Sequence, residues 1–426
     1  MVSYEWQKLG QSTLAFCPMP EVDSVSVGLW FRTGSRNEKP GLYGGAHFLE
    51  HLLFKGTRRR NALAITKEIE SKGGDLNAFT SEEMTCYYAR MDSDHFELVL
   101  DVLFDMLWNS TFPRIEVERE RGVILEEIRM YEDQPPSLVM EHLNLALWPG
   151  HGLGRPVTGT PDSVADMKRD DLMRFWREHY NPNTLVVSVA GAVTEERATS
   201  QTLRYLKSQR RSGKGVVQPF KRERKSRVSL VPVTRPVQQA CLALGVLAYP
   251  KSDRRRFALK LLSVILGENM SSRLFQIIRE KHGLAYSIQS STAHFQDTGV
   301  FYIQAGVDAG NVVKVTRLIA VELQRISRRK PPVEELRRAK DYWIGQMKLH
   351  LESSTSRMMW MGESLVGLGE MLQPAEAIHQ LEEVTVEEIQ AVARDIFKAG
   401  RMSLAVVGPE ITEKLLKEAA QPLQIL

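Results

Sequence analysis

Apolar positions along the chain alternate between two spacings, and the order of that alternation is repeated once. A strand-like run at residues 25–31 leads into helical stretches at 45–54 and 64–72. Strand-like runs follow at 75–80 and 85–91, and a helical stretch at 94–109 closes the series. The second part of the chain opens on a strand-like run at 240–246. It continues with helical stretches at 254–266 and 272–281, strands at 285–293 and 299–305, and a helix at 310–326. Each part then adds helices and ends on an apolar strand, 185–190 in the first and 402–407 in the second. A pattern repeated at about half the chain length is the mark of an internal duplication.

Between the two repeats, residues 208–227 are rich in Arg, Lys and Gly and carry little apolar periodicity. This predicts a linker at 208–227 between a first half at 1–207 and a second at 228–426. Strands that cluster as neighbours between helices predict an α+β fold, with two related halves, each a mainly antiparallel sheet packed with helices.

The chain has 426 residues, too many for one core of ordinary size. Its net charge is +4 against 56 basic and 52 acidic residues, which points to no nucleic-acid partner. The basic stretch at 208–227 does not change this, because Phe220 is its only aromatic and stacking on bases needs several. No apolar run reaches the roughly 18 residues of a spanning helix, so no membrane is expected. Residues 1–12 show no charged segment followed by an apolar one, and a cytoplasmic location is expected. Cys17, Cys86 and Cys241 are far apart and odd in number, which predicts small buried hydrophobes rather than disulfides or metal ligands.

Chemistry concentrates at 44–54. His47 and His51 lie one helical turn apart, which sets their Cβ atoms about 5–6 Å from each other. Two imidazoles at that spacing can chelate one divalent ion. Glu50 flanks the pair and can reach water at the ion without being a ligand. Phe48, Leu49, Leu52 and Leu53 fall on the opposite face and would fix the helix to the core.

A catalytic zinc needs a third protein ligand and an open position. The acidic helix predicted at 114–131 has an apolar stripe of Val117, Ile124, Ile128 and Tyr131. At about 100° per residue, Glu120 and Glu127 lie beside this stripe, whereas Glu126 points nearly opposite. Glu120 and Glu127 are therefore both candidate inward carboxylates, and Glu126 is expected in solvent. The remaining histidines have no ligand-like spacing.

His47, Glu50 and His51, followed 76 positions later by Glu127, resemble the pitrilysin/insulinase family of metallopeptidases. The likeness is to its short two-domain branch, which includes the mitochondrial processing peptidase β subunit and bacterial homologues. It extends through stretches beginning at Ser26, Asn77 and Leu153 and through Arg279 to Ser287.

The resemblance implies one Zn2+ per chain, held by His47, His51 and Glu127, with Glu120 supporting the ligands from behind. It implies peptide-bond hydrolysis with Glu50 as general base. Arg279 and Tyr286 of the second half would join the catalytic set, with Tyr286 stabilising the oxyanion. Asn77, Ala78 and Phe79 would form a sheet edge that binds extended peptide. The halves would close as a clam shell around a chamber, and the chain would form a homodimer, or a heterodimer with a homologous subunit. The alternative within the family is a non-catalytic structural or partner subunit, though such relatives have usually lost part of the motif. An enzyme dependent on a second subunit with a glycine-rich loop is a further alternative, since no long loop of that kind is evident in this chain.

Overall fold

The computed structural model describes residues 4–207, 218–221, 227–398 and 400–425. Its strands form two sheets. The first contains β1 (Glu5–Leu9), β2 (Ser12–Pro18), β3 (Ser24–Phe31), β4 (Asp75–Thr80), β5 (Thr85–Asp92) and β6 (Leu185–Gly191), in the order β1-β2-β6-β3-β5-β4. The second contains β7 (Ser229–Thr234), β8 (Ala240–Ala248), β9 (Ala285–His294), β10 (Gly299–Val307) and β11 (Met402–Gly408), in the order β7-β11-β8-β10-β9.

The duplication holds at the level of topology. Without β1, each sheet places its strands in the same order and has a single parallel pair, β2 with β6 and β7 with β11. All other pairings are antiparallel. The fold is therefore α+β, with two related and mainly antiparallel sheets.

Three strands escape the periodicity reading, which begins at residue 25. β1 is a polar edge strand, mostly exposed. β7 is an edge strand interrupted by Pro232, tolerated there because an edge leaves ladder positions unpaired. β2 is a continuous buried run without alternation. The helix expected at 272–281 is also present, but from Phe275 to Lys281 it is wound as a π-helix.

The compact units are not contiguous halves. One comprises residues 1–128, 155–218 and 348–373, and the other 129–154, 219–347 and 374–426. Each unit takes in a helix from the opposite side of the 208–227 stretch, an exchange that boundaries at 207 and 228 do not contain. Periodicity shows that a helix has an apolar face but not which sheet that face will cover. Most of 208–227 lies outside the described residues.

In the first unit, β3 is packed on both faces. Val25, Val27, Leu29 and Phe31 join Phe48, Leu49, Leu52 and Leu53 in one core. The opposite face is read by the exchanged helix Ser354–Leu368. Ser26 Oγ lies 2.9 Å from Ser354 Oγ, Gly28 faces Met358, and Trp30 lies against Gly362. Two strand residues advance about 6.6 Å and four helix residues about 6 Å, so the two periods stay nearly in step. In the second unit, Gly245 of β8 similarly accommodates Leu143 and Leu147 of the helix Pro135–Leu147.

A Cβ at Gly362 would overlap the fully buried Trp30 indole, whose Nε1 donates to Ser188 Oγ at 2.8 Å. Gly362→Ala is therefore expected to destabilise the protein by about 1–3 kcal/mol through overpacking. Chemical denaturation would show this as a lower midpoint. An unchanged midpoint would mean that the helix shifts freely on the sheet.

Candidate metal centre

The helix Gly45–Leu53 is anchored by its apolar face: Phe48, Leu49, Leu52 and Leu53 are fully buried. This leaves His47, Glu50 and His51 on the face turned from the core. The acidic helix Arg114–Glu132 supplies the facing carboxylates. Val117, Ile124 and Ile128 are buried, and so is Glu120 beside them. Glu127 is half-buried on the same side and Glu126 is exposed, as the helical periodicity predicts.

His47 Nε2 and His51 Nε2 each lie 3.6 Å from Glu127 Oε2. One ligand atom from each of the three residues falls within 4.8 Å of the others, an arrangement that could hold a metal ion. No other group of three His, Cys, Asp or Glu side chains among the described residues meets this condition. The cysteines contribute nothing to it, since all three are buried and free.

Glu120 does not join the ligand group. Its Oε2 lies 3.1 Å from His51 Nδ1, and its Oε1 accepts from Lys55 Nζ at 2.8 Å. Burial pushes the Glu120 carboxyl up, but the bonds to His51 and Lys55 outweigh it and hold the group below the usual carboxylate range. A charged Glu120 holds the His51 ring by Nδ1 and so turns Nε2 toward Glu127. Burial, with His51 adding to it, pushes His47 down to about 3, so its imidazole is neutral. Two imidazoles and a carboxylate facing one point are the donor set of catalytic zinc sites, and the residues fit such an ion.

Glu50 is held differently. Its Oε2 accepts from Thr80 Oγ1 at 2.5 Å. Burial raises its pKa, against the hydrogen bond from Thr80 and the charge of His51. Thr80 ends β4, which is the last strand of its sheet and pairs only with β5. Leu76 and Ala78 of β4 pack on the same core as the motif helix, and Thr80 continues that face toward Glu50. Asn77 is exposed, its Oδ1 accepting from Ala78 N at 2.8 Å, while Phe79 packs edge-on against Trp30 at 5.6 Å. The expected stretch Asn77, Ala78 and Phe79 is thus a sheet edge.

In the other unit, the Arg279 guanidinium carbon lies 4.8 Å from the Phe275 ring centre and 5.6 Å from that of Tyr286. Arg279 stands near the end of the π-helix, and Tyr286, at the start of β9, is 78% exposed. The two expected residues are therefore neighbours, with the tyrosine ring in solvent.

A sequence profile described as Insulinase (Peptidase family M16) matches residues 17–161, which include the His-His-Glu group and Glu50. A second, described as Peptidase M16 inactive domain, matches residues 166–342. An uncharacterized zinc protease of Streptomyces coelicolor is 38% identical over 396 residues, 92% of this chain and 86% of that protein. The chain belongs to the insulinase family of peptidases. The uncharacterized zinc protease YmxG of Bacillus subtilis is 36% identical over 92% of this chain and 94% of its own length. Among solved structures, a protease from Helicobacter pylori superposes with a TM-score of 0.90. It covers 96% of this chain and all of that one, at 24% identity, a likeness of fold alone. A peptidase M16 inactive domain from Pseudomonas fluorescens follows at 0.88 and 20% identity.

Within this insulinase-family chain, periodicity paired His47 with His51 and turned both Glu120 and Glu127 inward, but missed Thr80 and Lys55. Lys55 stands four residues after His51, a spacing that signals a shared side of the turn. Thr80 has only its place at the end of a predicted strand. Among the described residues, no helix is long and apolar enough to cross a membrane.

Separate substitution of the two adjacent glutamates tests the register of the acidic helix. Glu127→Ala is expected to lose the bound metal, and Glu126→Ala to keep about one equivalent, by metal analysis of dialysed protein. The reverse pattern would mean that the helix presents its other face.

Proposed function

We propose that this chain is a zinc-dependent endopeptidase acting on extended or unfolded peptides. The observation that carries the reading is the convergence of His47, His51 and Glu127 beside a Glu50 that is held by Thr80 and is not needed as a ligand. The names of the relatives, zinc proteases, support the choice of metal.

His47 Nε2, His51 Nε2 and a Glu127 oxygen would hold the ion, with Glu120 orienting His51. Zinc, when bound, supplies Lewis acidity and makes water easier to deprotonate near neutral pH. Glu50 takes the proton of the attacking water as that oxygen bonds to the peptide carbonyl carbon. Thr80 occupies Oε2, so Oε1 is the accepting atom. Glu50 then returns the proton to the amide nitrogen as the C–N bond breaks. A carboxyl whose pKa is raised by burial suits both transfers better than an ordinary one.

Substrate selection follows from β4. An extended peptide can add to its open edge through main-chain hydrogen bonds, which accept many sequences. Asn77 would have to release the Ala78 N–H for such pairing. Arg279 and Tyr286 enter the proposal on the family resemblance, with the Tyr286 hydroxyl donating to the oxyanion. Tyr286→Phe is then expected to keep zinc and stability while kcat falls about 10- to 1000-fold. An unchanged kcat would remove Tyr286 from the chemistry.

The deciding experiment is metal analysis together with turnover of a quenched peptide library. About one zinc per chain and cleavage abolished by a chelator are expected. Full activity without a divalent metal would sink the reading. Bound zinc without turnover of any peptide would favour a non-catalytic subunit.

A further inference from the structure

The helix that carries His47 and His51 begins without a capping side chain of its own. Its N-cap is Gly44, in the left-handed region at φ 89°. A Cβ there would strike the carbonyl oxygen of Thr158, and Gly159 lies as close behind it. The usual Ser, Thr, Asp or Asn cap is therefore excluded at this position by the close approach of the 158–159 backbone. The first N–H groups of a helix still need acceptors, and here they are buried.

Leu42 O accepts from Gly45 N, and Glu38 supplies two more acceptors from six residues upstream of Gly44. Its Oε2 accepts from Gly44 N and its Oε1 from Ala46 N, each at 2.9 Å. The side chain is buried, and its backbone is fixed by the turn Ser35–Asn37, with Glu38 N donating to Ser35 O. Burial pushes the carboxyl up to about 8, against the pull of the helix N–H groups and of Arg155. Arg155 itself lies over the Tyr43 ring, 4.0 Å from its centre. The mechanism above does not use Glu38, yet it is one of the few acidic residues buried among the described residues.

We propose that Glu38 is a positioning residue for the metal centre: its carboxyl group caps the ligand helix from outside, in place of the cap that Gly44 cannot carry, and so fixes where His47 and His51 present their nitrogens. The inference rests on the metal-binding reading above. His47 is the third residue of the helix, within the first turn, where an uncapped helix frays. His51 lies one turn further in and is also held by Glu120. Loss of the cap therefore acts first on His47.

The test is Glu38→Gln in the full chain. The amide keeps one acceptor and turns an NH2 toward the other N–H. Zinc affinity is measured by competition with a chromophoric chelator, and stability by melting of the metal-free protein. The expected result is zinc binding weakened about 10- to 100-fold, the range typical of residues that orient metal ligands. Glu38→Asp, which keeps the carboxyl group one methylene short, is expected to fall between Glu38→Gln and the wild type, and serves if Glu38→Gln fails to fold. Leu100→Ala, a core change in the same unit, lowers stability without touching the cap and is expected to keep its zinc affinity.

Zinc affinity within about twofold of wild type in both Glu38 variants would overturn the proposal. So would an equal loss of affinity in Leu100→Ala, since fold stability alone would then explain it. Wild-type protein that takes up no zinc would instead overturn the metal reading itself, and the proposal with it.

Discussion

Glu50→Gln will keep its zinc and lose about 10²- to 10⁴-fold in kcat, the range that a positioned general base contributes. The amide is nearly the same size and can still accept from Thr80, so the hydrogen bond that now holds Oε2 survives in part. What it cannot do is take a proton. His47, His51 and Glu127 form the group that could hold the ion, which on the proposed reading has no need of Glu50. Metal content and kcat on a saturating peptide are measured on the same preparation. Near-normal turnover would end the general-base assignment, and loss of zinc would make Glu50 a ligand.

His51→Ala has the larger effect on the metal. It removes one of three ligands and also frees the buried Glu120, which is left with Lys55 alone. The loss of zinc affinity should exceed the roughly 10- to 100-fold typical of outer partners. Dialysed protein should then hold little metal and show no cleavage. Excess zinc should restore at most a small part of the activity, because the ligand is missing and not merely misplaced. A variant that retains one zinc per chain and full turnover would show that the ion sits elsewhere.

The site was legible where it obeys a helical period. His47 and His51 at a spacing of four, and Glu120 and Glu127 at a spacing of seven beside buried Val117, Ile124 and Ile128, needed only the geometry of a helix. Choosing Glu127 as the ligand over Glu120 took the family resemblance. The structure separates the two by what each touches, Glu120 reaching Lys55 and the far nitrogen of His51.

Contacts made across loops were not legible. Glu38 reaches the helix start from outside any periodic segment, and Thr80 meets Glu50 across 30 residues of sequence. Apart from β1, β2 and β7 the strands were well placed, including the 75–80 strand with its stated limits. Partner choice was not. Ser354, Met358 and Gly362 form an apolar or small-residue stripe that would suit a sheet of either unit. Only shape, the indole of Trp30 against a glycine, commits it to β3.

That commitment has a consequence for how the chain is made. Synthesis delivers β6, the last strand of the first sheet, by Gly191, but the helix that covers Ser26, Gly28 and Trp30 is complete only at Leu368, 177 residues later. At about 5–20 residues per second, the nascent protein carries an uncovered sheet face for about 9–35 s. An amino-terminal fragment released before Leu368 keeps all three candidate metal ligands and lacks the complete cover over Trp30. The candidate ligands are thus translated first, while the helix that covers the sheet behind them follows only after the strands of the second sheet through β10. During that interval the open face is a target for chaperones and for the faces of neighbouring nascent chains.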